Sequence, residues 1–192
     1  MVSKRQKKLN KELCESAWSL HPDIEQIKEL IANGADVNAR TPAKLVPLTM
    51  VYDVAVAKIL IENGANVNIQ DFTGATPLFM SMGPDIAKLL LDAGADATHV
   101  NKVGNNAIFW QWDVETLQIL VDAGADINRR NKLGNTPLHD AVAAKSNEKV
   151  QFLINCGAKL NVKNKDGKTP LDLAPTKRLQ KMLVKAGAKN SN

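Results

Sequence analysis

The chain has 192 residues, 44% hydrophobic and 23% charged, which is enough apolar material for a sizeable core. No stretch approaches 18 consecutive apolar residues, which argues against a membrane-spanning helix. The net charge of +5 is unevenly spread: residues 1–11 carry +5, residues 12–158 carry −7 and residues 159–192 carry +7. Basic ends on an acidic body read as solvating caps, and they disfavour nucleic acid as the main partner despite a pI near 9.2.

The chain opens with a basic segment, Met1 to Asn10, containing Lys4, Arg5, Lys7 and Lys8. No apolar h-region follows it, so it is a poor secretory signal and is read as a tail over 1–10. The two cysteines, Cys14 and Cys156, sit in no CxxC or CxxH setting. That argues against a disulfide framework or a zinc site, and points to reduced thiols in the cytoplasm. Delivery into a host cell from an intracellular bacterium stays open.

Glu12 to Trp18 then predicts a first helix and Asp23 to Ala32 a second, joined by Ser19-Leu20-His21-Pro22. From here the chain repeats itself. The series GADVN (34–38), GANVN (64–68), GADAT (94–98), GADIN (124–128), GAKLN (157–161) and GAKN (187–190) has glycine spacings of 30, 30, 30, 33 and 30. Four residues before each glycine stands a leucine: Leu30, Leu60, Leu90, Leu120, Leu153 and Leu183. A second series keeps register with the first: VPL (46–48), TPL (76–78), NAI (106–108), TPL (136–138) and TPL (169–171).

The residue types explain the local structure they predict. Thr76, Thr136 and Thr169 suit a helix N-cap, and the proline after each suits the first helical position, where no donor is needed. Apolar runs such as Ile86 to Leu91 and Leu117 to Val121 predict a second helix, which the glycine of the GA motif ends. A further glycine (Gly74, Gly104, Gly134, Gly167) marks a polar turn leading onward.

Two motifs in fixed register resemble the ankyrin repeat family, above all Gly134-Asn135-Thr136-Pro137-Leu138-His139 with Gly124-Ala125-Asp126-Ile127-Asn128. The resemblance covers roughly 11–190. It implies an all-α solenoid of stacked helix-turn-helix units with β-turn fingers, elongated and slightly curved, forming a single domain. The repeats fall at about 11–40, 41–70, 71–100, 101–130, 131–163 and 164–190. Most lack three residues of the family's usual 33, lost between TPL and the second helix; the fifth keeps full length through Ala143 to Asn147. Lys44 stands where a turn glycine is expected, with Pro42 before it, so that finger is expected to be distorted. The fourth repeat replaces TPLH by Asn106-Ala107-Ile108-Phe109, with Asn105 or Asn106 as N-cap. Terminal repeats need polar outer faces, which accounts for the basic ends.

No catalytic signature emerges. His21, His99 and His139 occupy different repeat positions, and His139 is read as structural, bonded to backbone or to the threonine hydroxyl. GxSxG, HExxH, P-loop and GxGxxG motifs are absent. Asp53 and Asp113 could be imagined as an acid–base pair, but nothing implies a pocket between them. No enzymatic activity, cofactor, metal or small-molecule substrate is expected.

The resemblance implies that residues two beyond the TPL leucine face the concave side: Met50, Met80, Trp110, Asp140 and Leu173. Three residues on come Asp53, Gly83, Asp113 and Ala143. A stripe of Met50, Met80 and Trp110 bordered by Asp53, Asp113 and Asp140 is the expected contact surface. Trp112 and Tyr52 lie nearby, at a position the family usually buries. Aromatic and methionine side chains ringed by acids make a plausible interface centre, though Met80, Met82 and Trp112 could instead fill space left by short helices. Finger tips form a second contact set: Arg40, Lys44, Gln70, Phe72, Lys102, Val103, Lys132, Leu133, Lys165 and Asp166. Phe72, Val103 and Leu133 are read as an apolar row at one turn position, either exposed for a partner or packed finger on finger. The expected function is a module binding a folded partner protein, monomeric by itself. Alternatives are a stand-alone inhibitor or immunity-type protein blocking an enzyme, and, less favoured, a nucleic-acid binder using the basic ends.

Overall fold

The computed structural model describes residues 3–41 and 44–191. Among them are nine α-helices and three 3-10 helices, with no β-strand. The single domain expected over 11–190 separates by its contacts into two compact units, Met1–Ala97 and Thr98–Asn192.

The N-terminal unit contains α1 (Lys4–Ala17), α2 (Ile24–Ala32), η1 (Pro47–Met50), α3 (Val54–Glu62), η2 (Pro77–Met80) and α4 (Pro84–Asp92). First helices stack on first helices (α1 on η1, η1 on η2) and second helices on second helices (α2 on α3, α3 on α4). The C-terminal unit contains α5 (Ala107–Trp110), α6 (Val114–Asp122), α7 (Pro137–Ala143), α8 (Asn147–Asn155), η3 (Leu171–Leu173) and α9 (Lys177–Lys185). There α5 packs on α7, α7 on η3, and α6 on α8.

All six second helices are nine residues long. Their inner stripes are buried, for example Ile27, Leu60, Leu90, Leu117, Leu153 and Leu183. The recurring leucine also anchors the stop: in the first repeat Ala35 N–H donates to Leu30 O at 2.9 Å and Gly34 N–H to Ile31 O at 2.9 Å. Gly34 sits at φ 92°, the left-handed conformation this closure requires. The asparagine that ends four of these motifs (Asn38, Asn68, Asn128 and Asn161) then ties repeats together. Asn38 Nδ2 donates to Gly64 O at 2.9 Å, and its Oδ1 accepts from Asn66 N–H at 2.7 Å. Asn68 does the same with Gly94 O and Asp96 N–H.

That ladder corrects the expectation of a tail over 1–10. Helix α1 begins at Lys4, capped by the Ser3 hydroxyl, which accepts from Gln6 N–H at 3.1 Å. Gln6 Nε2 donates to Gly34 O at 2.6 Å and Asn10 Oδ1 accepts from Asp36 N–H at 2.9 Å. The basic segment thus supplies to the first repeat the side-chain bonds that an asparagine supplies elsewhere. Charge and polarity looked like solvation, but two amides among the lysines have structural partners.

The three-residue deletion acts on the first helices. Full-length α7 has seven residues; η1, η2 and α5 have four and η3 has three. In each short repeat a two-residue extended link replaces the missing turn. Its first residue is buried (Val51 2%, Ser81 4%, Gln111 7%, Ala174 7%) and its second faces solvent (Tyr52, Met82, Trp112, Pro175). Losing a turn also strips donors from the last carbonyls of the helix. Side chains replace them. Trp18 Nε1 donates to Pro47 O, which opens η1, at 2.9 Å, Ser81 Oγ to Leu78 O within η2 at 3.1 Å, and Gln180 Nε2 to Ala174 O, in the link after η3, at 2.9 Å. In the fourth repeat the donor is Lys149, from α8 of the repeat that follows: its Nζ lies 2.7 Å from Ile108 O and 3.1 Å from Phe109 O.

Two local expectations change. The Lys44 finger keeps the regular turn in its described residues: Lys44 takes φ 58°, Lys44 N–H donates to Thr41 O at 2.8 Å and Thr41 N–H to Leu45 O at 2.8 Å. Pro42 lies outside the described residues. Of the TPL threonines, Thr136 and Thr169 cap with the hydroxyl as expected, Thr136 in a capping box with His139 and Thr169 Oγ1 accepting from Asp172 N–H at 3.4 Å, whereas Thr76 makes no such bond. Thr136 Oγ1 lies 2.8 Å from His139 Nδ1, and Thr136 N–H donates to that nitrogen at 3.1 Å. The proton is therefore on Nε2, which reaches Lys168 O at 3.1 Å. Thr169 N–H and Oγ1 both donate to Asp172 Oδ2, at 2.7 and 2.8 Å. Where the matching residue is Phe79 or Phe109 no such acceptor exists, and Thr76 Oγ1 and Asn106 Oδ1 are buried without a partner.

Candidate protein-binding surface

In the N-terminal unit Met50 and Met80 end η1 and η2, and both are half-buried. Asp53 is the N-cap of α3: its Oδ1 accepts from Ala55 N–H at 2.8 Å and Val56 N–H at 3.1 Å. Phe72 is 57% exposed at a finger tip. The turn there is pinned by Asp71 Oδ1, which accepts from Thr73 N–H at 2.7 Å and Ala75 N–H at 3.0 Å. Backbone already held by its own side chain offers the phenyl ring to solvent at little further entropic cost.

In the C-terminal unit Val103 and Leu133 occupy the tips of consecutive fingers, 53% and 66% exposed. Asn101 Oδ1 and Asn131 Oδ1 pin these turns, accepting from Val103 N–H and Leu133 N–H. The fingers do meet, through main chain: Lys132 N–H donates to Val103 O and Lys165 N–H to Leu133 O, each at 2.9 Å. That pairing leaves the apolar side chains uncovered. It also corrects the three-membered row. Phe72 directly follows the turn-opening Asp71, whereas Val103 and Leu133 come second after Asn101 and Asn131, so only the latter two share a turn position.

Trp110 ends α5 and is 41% exposed; Trp112, in the extended link, is 48% exposed. Trp112 and Tyr52 were expected at a usually buried position. The buried residues are their neighbours Gln111 and Val51, because an extended link turns successive side chains to opposite sides. Asp113 caps α6: its Oδ2 accepts from Thr116 N–H at 2.7 Å and Thr116 Oγ1 at 2.6 Å, which hold the carboxyl below the usual range. Asp53 and Asp113 thus both have a helix-capping role.

Lys149 organises this region, and no repeat motif marked it. Its side chain is fully buried, with the ammonium bonded to Ile108 O and Phe109 O and 4.3 Å from the centre of the Trp112 ring. Burial pushes its pKa down to about 8 against the opposing pull of Asp140. Asp140, half-buried on α7, is raised by burial and pulled back by Lys149. Its carboxylate accepts no hydrogen bond among the described residues. A lysine of ordinary appearance in Asn147-Glu148-Lys149-Val150 reads as surface; only the truncated helix beside it makes it core. Among the described residues no cluster of three or more metal-ligating side chains occurs, and no helix is long and apolar enough to cross a membrane.

Models of ankyrin repeats match the sequence over residues 13–101 (three copies) and 120–174 (many copies). No curated protein matches the chain. Proteins of this family generally act as protein–protein interaction modules. The regular second helices, the left-handed glycine stops, the finger turns and the two matched stretches agree: the chain belongs to the ankyrin repeat family.

Proposed function

We propose that the repeats hold a folded partner protein through finger tips and the ends of the first helices, using Met50, Asp53, Phe72 and Met80 in the N-terminal unit and Val103, Trp110, Trp112, Asp113, Leu133 and Asp140 in the C-terminal unit. The observation that carries this reading is the exposure of large apolar side chains on turns and links whose flanking backbone is held by side-chain hydrogen bonds. Phe72, Val103, Leu133, Trp110 and Trp112 are each more than 40% exposed, on turns and links fixed by side-chain caps. Preformed apolar display lowers the ordering cost of association, and tryptophan is prominent among residues that dominate binding.

The test is the double variant Trp110→Ala with Phe72→Ala. Partner captured from the native cell by the parent chain should bind at least tenfold more weakly, with a thermal midpoint within a few degrees of the parent. A large drop in midpoint with unchanged affinity assigns these side chains to folding and removes the reading.

A further inference from the structure

Resting on the reading above, we infer that the Trp110–Trp112–Asp140 surface of the C-terminal unit receives an arginine-bearing basic segment of the partner. Three observations converge. First, the Trp112 ring already binds a cation: the Lys149 ammonium lies 4.3 Å from its centre, while 48% of the residue remains exposed to receive another group. Second, Asp140 presents a half-buried carboxylate that accepts no hydrogen bond among the described residues. A carboxylate partly stripped of water gains most from a charged donor. Third, the one charge acting on Asp140 among the described residues is Lys149, and that ammonium spends its hydrogen bonds on Ile108 O and Phe109 O, which leaves the carboxylate open to a second cation.

Arginine fits this combination better than lysine. Its planar guanidinium stacks on an indole face while donating paired N–H groups to a carboxylate, and it sheds water more readily than an ammonium. An acidic segment would be repelled by the Asp140 carboxylate, and a purely apolar one would leave Asp140 buried without a donor.

The experiment titrates the full-length ¹⁵N-labelled chain with the hexapeptide Arg-Gly-Arg-Gly-Arg-Gly and with matched citrulline and lysine peptides. The readout is the three tryptophan indole N–H resonances. Trp18, whose Nε1 donates to Pro47 O, is the internal control. The expected result is saturable movement of Trp110 and Trp112 with the arginine peptide and none at Trp18. Affinity should be at least tenfold weaker for citrulline, weaker for lysine, and at least fivefold weaker for Asp140→Asn. Trp110→Ala, an independent variant should Asp140→Asn unfold, should also weaken binding at least fivefold. Equal affinity for citrulline or lysine, or equal movement at Trp18, overturns the inference. If Trp110→Ala weakens capture of the native partner while the arginine peptide does not bind, the inference fails and the function reading stands.

Discussion

The fourth and fifth repeats are consecutive and share a plan, yet three residues separate them in length and most of their chemistry follows from that. In the fifth, α7 runs its full seven residues, and its final carbonyls find main-chain donors in Ala144, Lys145 and Ser146. His139 closes its start onto Thr136 and Lys168. In the fourth, α5 stops after four residues, its carbonyls borrow a lysine from α8, and Phe109 occupies the place of His139. The complete repeat closes the end of its first helix with its own main chain. The shortened one depends on its neighbour and, in exchange, turns Trp112 to solvent. A deletion thus converts buried helix into displayed link and couples two repeats through one buried cation.

The largest effect should come from removing that cation. Lys149→Ala leaves two carbonyls without donors and a cavity where the stem lay, and should cost about 3 kcal/mol by urea unfolding. Lys149→Met restores the stem alone and should cost about 1 kcal/mol at pH 7, because relief of the buried charge offsets part of the loss. Its pH signature separates the two contributions. The folded lysine is neutral above about 8 while the unfolded one stays charged to 10.5, so parent stability should rise across that window. Lys149→Met should lack the rise. A flat parent profile breaks the comparison.

Gly134→Ala comes next, at about 2 kcal/mol. The glycine sits at φ 78° and an added Cβ would meet Lys165 N at 2.9 Å, on backbone that cannot yield. Gly104→Ala, where the nearest backbone atom is 3.2 Å away, should cost about half as much. Equal costs would show that left-handed strain alone, and not finger packing, sets the penalty.

Acid should strain the fifth repeat specifically. Burial lowers His139 below the ordinary value of 6.5, so its contribution is complete above pH 6.5 and is lost as pH falls below it. Denaturant midpoints should therefore decline from pH 6.5 downward, and less steeply in His139→Phe, which copies the fourth repeat. The smallest effect is expected at the orphaned hydroxyl. Thr76→Val should change stability by less than about 0.5 kcal/mol, since Thr76 Oγ1 has no partner to lose. Thr136→Val, which breaks contact with His139, should cost about 1 kcal/mol.

Much of this molecule is written in its periodicity. The glycine of each GA motif, the leucine four residues before it and the 30-residue spacing fix where second helices end, which side faces in and how many repeats there are, because only glycine closes those helices without strain. In the sequence Asp53 and Asp113 read only as the acidic border of a contact surface, and their capping of α3 and α6 emerges with the structure. Other features depended on neighbours remote in sequence. Nothing in residues 1–10 announces that Gln6 and Asn10 bond to the first repeat, and the family's usual pattern placed Tyr52 and Trp112 at a buried position when Val51 and Gln111 are the buried residues. Lys149 is the clearest case. Local rules send a lysine in a polar helix start to solvent, and only the carbonyls left bare by a helix shortened some 40 residues earlier, as the separation of Lys149 from Ile108 and Phe109 records, draw it into the core. Sequence determined the repeat, since its bonds are local; tertiary structure decided who completes the shortened helices of the second and fourth repeats, since Trp18 and Lys149 come from elsewhere in the chain.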